Sequence, residues 1–181
     1  MRRLAVFDLD GTLVDSAPDI AAVLNRAMAR ARLAPFALPE VAAMIGDGAR
    51  ALLRKAFAAR GAPLEEAAVL PPFLEDLEAN GARLTRPYPG MEAALAALSA
   101  GGWALAVCTN KPQAATRALL DALGLAPRFC VVLGGDSLPV RKPDPGHLLG
   151  VLEAAGVPPA RAVMIGDHQN DIRAARGAGV L

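Results

Sequence analysis

The chain opens on a short apolar run, Leu4-Ala5-Val6-Phe7, that stops at two acids and a glycine, Asp8-Leu9-Asp10-Gly11-Thr12. A run of this kind predicts a buried parallel strand, and the polar residues at its carboxyl end predict that the strand opens into a crevice. After a loop over 13–18, the apolar residues Ile20, Val23, Leu24, Ala27, Met28 and Ala31 recur at helical spacing from Asp19 to about Arg32, with Ser16 as the candidate cap. Helical patterns follow over 39–45 and 49–60, broken at Gly46-Asp47-Gly48, and over 64–80, bent or restarted at Pro71-Pro72. Nothing between 17 and 82 reads as a strand, which predicts a helical block with short connections. Thr85-Arg86-Pro87-Tyr88-Pro89-Gly90 marks the exit from it, and the linkers at about 13–17 and 84–90 are expected to act as hinges.

At Met91 the pattern changes to alternation. Helix 91–100, strand 103–108, helix 113–123, strand 129–133, helix 145–155, strand 162–165 and a last helix from near Asn170 follow one another. Strands separated by helices of this length predict right-handed parallel crossovers. The expected fold is therefore α/β: a doubly wound, Rossmann-like parallel-sheet core over 1–16 and 85–181, with an inserted all-α helical-bundle cap over 17–84. Ligands of such sheets bind at the carboxyl ends of the strands. Here the four ends carry Asp8 with Asp10, Thr109 with Asn110, Asp136, and Asp167.

Composition narrows the partners. The 181 residues are 54% hydrophobic and 20% charged, a globular balance, and a net charge of +1 gives no reason to expect nucleic acid or a membrane surface. Any anion must be held by a local site. Cys108 and Cys130 both fall in apolar, strand-like runs, where a reduced thiol behaves as a small hydrophobe. The apolar stretch after Arg2 and Arg3 stops at Asp8, too short for a signal peptide, and no segment approaches the ~20 apolar residues of a membrane span. The expected compartment is the cytoplasm, and the expected state a monomer or homodimer.

Asp8 and Asp10, two apart on an extended segment, point to one face. Two acids held that close need a cation or a proton. The local chemistry supports a carboxylate nucleophile, a neighbouring acid/base and a magnesium site of oxygen ligands. An idle Asp-Gly turn with an N-cap fits the same stretch.

Read together, Asp8-Leu9-Asp10-Gly11-Thr12, Cys108-Thr109-Asn110, Lys142-Pro143, and Gly166-Asp167 with Asp171 resemble the four ordered motifs of the haloacid dehalogenase-like hydrolase superfamily. Pro87-Tyr88-Pro89-Gly90, Thr109-Asn110-Lys111-Pro112, Gly134-Gly135-Asp136-Ser137-Leu138-Pro139 and Arg141-Lys142-Pro143-Asp144-Pro145 resemble, more narrowly, the bacterial phosphoglycolate phosphatases. The likeness covers nearly the whole chain, including a cap inserted after the first motif. It implies a phosphatase acting on a small phosphorylated metabolite, 2-phosphoglycolate first among them. By the same resemblance Asp8 is the nucleophile, Asp10 the acid/base, and Mg2+ is held by Asp8, the Asp10 carbonyl and Asp167, with Asp171 behind them fixing water ligands. Thr109, Asn110 and Lys142 are then the phosphate-binding groups, and Lys142 also neutralises Asp8.

Other residues carry two readings each. His168 either touches the metal's waters or is a loop histidine without a role; His147 is a surface or satisfied histidine. Asp136 faces the crevice or caps a turn. Arg50 is an exposed helix-face arginine or, with Gly46-Asp47-Gly48, closes over the substrate and pairs with its carboxylate. The chain ends at Val180-Leu181, where members of the resembled family continue through a further strand and helix, so the strand ending at Ile165 is expected to be an exposed edge, with lowered stability or association through it. Two other functions fit the motifs less well: a phosphatase or mutase for another small or sugar phosphate, and a non-hydrolysing phospho-acceptor or scaffold.

Overall fold

The computed structural model describes residues 3–181; Met1 and Arg2, and with them half of the basic start noted above, lie outside the described residues. Four parallel strands form the sheet in the order β5-β4-β1-β6: β1 (Arg3–Phe7), β4 (Trp103–Cys108), β5 (Val131–Leu133) and β6 (Ala162–Ile165). The strand alternation sorts the sheet's two faces. Leu4, Val6, Ala104, Ala106 and Cys108 pack against α7 (Pro145–Ala155) and α8 (Gln169–Ala178). Ala5, Phe7, Leu105 and Val107 pack against α5 (Met91–Ala100) and α6 (Gln113–Ala122). Both faces are covered, as a parallel sheet requires. Each fully buried leucine of the two layers, such as Leu4, Leu95 and Leu148, contributes about 2 kcal/mol.

A third apolar cluster belongs to the helices inserted after β1: α1 (Ala17–Arg30), α2 (Leu38–Ala42), α3 (Ala49–Ala59) and α4 (Glu66–Asn80). Leu24, Met28, Leu53, Phe57 and Phe73 fill it, and Ala115 of α6 joins it from the sheet's side. The helical stripe read in the sequence is thus buried against its own block. At Pro71-Pro72 the helix does not restart, since α4 runs through both prolines as one helix. Val69, Leu70, Phe73 and Leu77 anchor that segment in the cluster, so packing outweighs the missing N–H donors.

The first linker is also more ordered than a loop. Val14–Asp15 (β2) pairs antiparallel with Arg86–Pro87 (β3), so the strands entering and leaving the helical block lie side by side. Asp19, buried in the first turn of α1, accepts three hydrogen bonds from the return segment: Leu84 N and Thr85 N at 2.8 Å each and Thr85 Oγ1 at 2.7 Å. Ser16 does not cap α1 with its side chain; its hydroxyl is used elsewhere.

β6 lies at the sheet's edge, as expected. Its Met164 N–H donates to the carbonyl of Leu181 at 2.7 Å, which turns the end of the chain back along that edge.

Candidate active site

β1 delivers its acids to the mouth of the sheet because the chain leaves the ladder just after Phe7. Asp8 N still donates to Ile165 O of β6, at 2.9 Å, and then the backbone turns through Leu9–Gly11. Gly11 is required there. Its φ of +86° strains any residue with a Cβ, and a Cβ there would also lie 2.4 Å from Asp167 Oδ2, so a larger residue would have to push aside the acid that follows β6. Thr12 Oγ1 completes the join, donating to Asp167 Oδ1 at 2.6 Å.

Lys142 is buried between two of the acids. Its ammonium lies 2.6 Å from Asp171 Oδ1 and 3.1 Å from Asp8 Oδ1. Burial works against the charge on Lys142, but Asp8 and Asp171 outweigh it and raise its affinity for the proton. On balance the Asp8 carboxyl is raised to about 6: burial lifts it most, Asp171 and Asp10 add to the rise, and Lys142 and the Leu9 N–H oppose it. Asp171 is held at both oxygens, since Oδ2 accepts from His168 N at 3.0 Å as the acid of a capping box that starts α8. The helix begins at Gln169, which puts Asp171 in its first turn and Asp167 just before it.

One carboxylate oxygen each from Asp8, Asp167 and Asp171 lies within 4.8 Å of the other two. With Asp10, four carboxylates face two ammonium groups, those of Lys142 and Lys111. The imbalance equals the charge of one divalent cation, and oxygen donors suit magnesium. With both oxygens of Asp171 engaged, Asp8 and Asp167 are the carboxylates best placed to ligate such an ion, with Asp171 behind them.

Asp10 accepts at Oδ1 from the Ser16 hydroxyl at 2.6 Å and from the Lys111 ammonium at 3.1 Å. Both donors escaped the sequence reading. Ser16 looked like a helix cap, and Lys111 belonged to a quoted motif but carried no role. A lysine three residues beyond a buried strand was the available signal, because a cation at that place is either solvated or in the site. Here it is buried.

From β4, Thr109 is buried with its N–H on Leu133 O and its hydroxyl accepting from Lys111 N at 3.2 Å. Asn110 spans the mouth, its Nδ2 donating to Gly46 O at 3.0 Å and to Lys142 O at 2.9 Å. Its buried Oδ1 has no partner among the described residues.

The helical block closes over this mouth through Gly46-Asp47-Gly48. Asn170 Nδ2 donates to Asp47 Oδ1 at 2.7 Å, and Lys55 holds Asp47 Oδ2 at 2.6 Å. Both bonds stabilise the Asp47 carboxylate and hold its pKa below the usual range, the Lys55 bond most of all. The ring of His168 packs on Gly46, where a Cβ would meet it at 2.7 Å, and its Nδ1 accepts from Asn170 N. His168 is thus a helix cap and a contact to the block.

The acids lie between two clefts. One is bounded by Asp15, Tyr88, Asp167 and His168; the other is an inner chamber walled by Ile20, Ile45, Leu52, Phe73 and Leu77, with Thr109, Asn110 and Lys111 at its floor. Asp8 and Asp10 border both. Of the residues singled out in the sequence, Asp8, Asp10, Thr109, Asn110, Lys142, Asp167 and Asp171 come together here. Arg50 does not: it is a half-exposed arginine whose guanidinium pairs with Glu66, in keeping with the helix-face reading rather than the substrate-pairing one. Asp136 is exposed and caps α6 by accepting from Gln113 N at 2.7 Å. His147 is fully buried, with Nε2 3.0 Å from Gly134 O.

The chain is similar to known proteins over nearly its whole length. The haloacid dehalogenase-like hydrolase family model matches residues 3–179. A phosphoglycolate phosphatase of Agrobacterium fabrum is 45% identical over 180 residues, which cover 98% of this chain and 77% of the relative. The crystal structure of a predicted phosphoglycolate phosphatase from Haemophilus somnus aligns with a TM-score of 0.88 at 35% identity, covering 99% of this chain and 83% of that one. CbbY from Rhodobacter sphaeroides, solved in complex with phosphate, aligns with a TM-score of 0.79 at 28% identity, over 99% and 84%. The chain belongs to the haloacid dehalogenase-like hydrolase family, on its phosphoglycolate phosphatase-like branch of phosphoric monoester hydrolases.

Proposed function

We propose that this chain is a magnesium-dependent phosphatase that hydrolyses 2-phosphoglycolate through an aspartyl-phosphate on Asp8. The observation that carries the reading is the meeting of Asp8 with Lys142, Asp167 and Asp171 at one strand-end mouth, with Asp10 alongside. Asp8, the Asp10 backbone carbonyl and Asp167 hold the metal ion, and Asp171 orients its surroundings. Bound there, magnesium supplies positive charge to the phosphoryl oxygens and reduces the repulsion between a carboxylate and a phosphate dianion.

Asp8 attacks phosphorus in line with the ester bond. Lys142 neutralises charge on Asp8 and on the transferring group, while the Thr109 hydroxyl and the Asn110 N–H bind phosphoryl oxygens. Asp10 gives its proton to the leaving oxygen and then takes one from the water that cleaves the acyl-phosphate. The helices over 17–84 act as the cap that excludes bulk water during both steps, swinging on the linkers at about 13–17 and 84–90. The free thiols of Cys108 and Cys130 fit the cytoplasm as the compartment for this chemistry.

Phosphate release from a panel of phosphorylated metabolites, with magnesium and with chelator, tests the proposal. Activity on 2-phosphoglycolate that requires magnesium and falls at least about 1,000-fold in Asp8→Asn is the expected result. A folded protein that releases phosphate from none of them rejects it and favours a phospho-acceptor without turnover.

A further inference from the structure

Lys111 is the charged group that this mechanism leaves without a task. Its side chain is 2% exposed, and its ammonium meets one carboxylate, Asp10, at 3.1 and 3.4 Å. Three N–H donors therefore share a single acidic partner in a place closed to bulk water. Its surroundings are otherwise apolar, since the chamber it floors is walled by Ile20, Ile45, Leu52, Phe73 and Leu77. The other buried lysine, Lys142, has different partners, Asp8 and Asp171. The two ammonium groups thus divide the site: one beside the nucleophile, one beside the acid that serves the leaving group.

We infer that Lys111 is a specificity-determining residue that binds a carboxylate carried on the ester-bearing carbon of the substrate, so that the site selects phosphorylated 2-hydroxy acids. The inference rests on the phosphatase reading, in which Asp10 touches the leaving oxygen. An ammonium bonded to Asp10 is within reach of a group one carbon beyond that oxygen. A carboxylate there meets the unused donors of Lys111, whereas a neutral substituent leaves them unpaired against an apolar wall. Arg50, turned to Glu66 outside the chamber, is not needed for this recognition.

The test compares kcat/KM for 2-phosphoglycolate and for ethyl phosphate, the same ester with a methyl group in place of the carboxylate. The wild type is expected to prefer phosphoglycolate by about 100-fold, and Lys111→Met to lose most of that preference through KM. Lys111→Arg, which keeps the charge, retains part of it, and Arg50→Ala leaves it unchanged. Circular dichroism melts confirm that each variant is folded; if Lys111→Met is not, Lys111→Gln takes its place.

Equal losses on both esters overturn the inference and reduce Lys111 to a residue that positions Asp10. A wild type that hydrolyses both esters equally also overturns it, while leaving the phosphatase reading intact. If neither ester is turned over, the phosphatase reading falls, and calorimetric binding of the two esters decides the inference: tighter binding of phosphoglycolate that Lys111→Met abolishes upholds it, and equal binding rejects it.

Discussion

His147 shows how a single buried side chain ties this site to acidity. Burial first and the Lys142 charge second bring its imidazole down to about 4 from 6.5, against the opposing bond to Gly134 O. Between those two values the unfolded chain binds a proton that the folded chain refuses. The stability that His147 contributes is therefore fully present above about pH 6.5 and is lost as pH falls toward 4. Thermal melts of the wild type and of His147→Gln across that window should show the wild type losing more on acidification, by up to ~1.4 kcal/mol per pH unit. Little of this was legible beforehand, because one histidine on an apolar helix looks the same whether it is buried or at the surface. Asp8, Asp10 and Asp167 were legible for the opposite reason: acids at the carboxyl ends of apolar strands have few structural excuses. Lys111 and Ser16 fell between the two, their partner Asp10 being visible and their orientation not.

Among the elements, the strands and helices of the sheet layer follow the hydrophobic pattern closely, with β4, α5, α7 and β6 starting and ending where the pattern does. What the pattern did not carry is the β2–β3 pair, since two residues on each side are too few for alternation to register. Nor did it carry the bonds from Asp19 to Leu84 and Thr85, which join residues far apart in the chain. Asp19→Ala leaves three donors without their buried acceptor and should cost about 3 kcal/mol in urea unfolding, with faster proteolytic nicking near 82–90. Asp19→Asn, which keeps an acceptor, should recover part of that loss. The contact of Gly46 and Asp47 with Asn110, His168 and Asn170 was hidden in the same way, although the glycines themselves marked a break.

For the molecule as a whole, the excess of acid at the mouth is the dominant electrostatic fact. Four carboxylates against two ammonium groups in a mostly buried place leave a net repulsion among the acids that a divalent cation would relieve. Magnesium should therefore raise the melting temperature in proportion to the logarithm of its concentration above Kd, and chelator should reverse the rise. Asp167→Asn, which removes one of the charges, should blunt the response; an equal response in that variant would place the ion elsewhere. The side-by-side linkers β2 and β3 have a separate consequence. The polypeptide departs for the helical block and comes home at one and the same spot, so from the sheet's standpoint some seventy residues amount to a single long loop. Such a loop can be lengthened, trimmed or exchanged without breaking a rung of the ladder beneath, since none of the four strands draws a ladder partner from it.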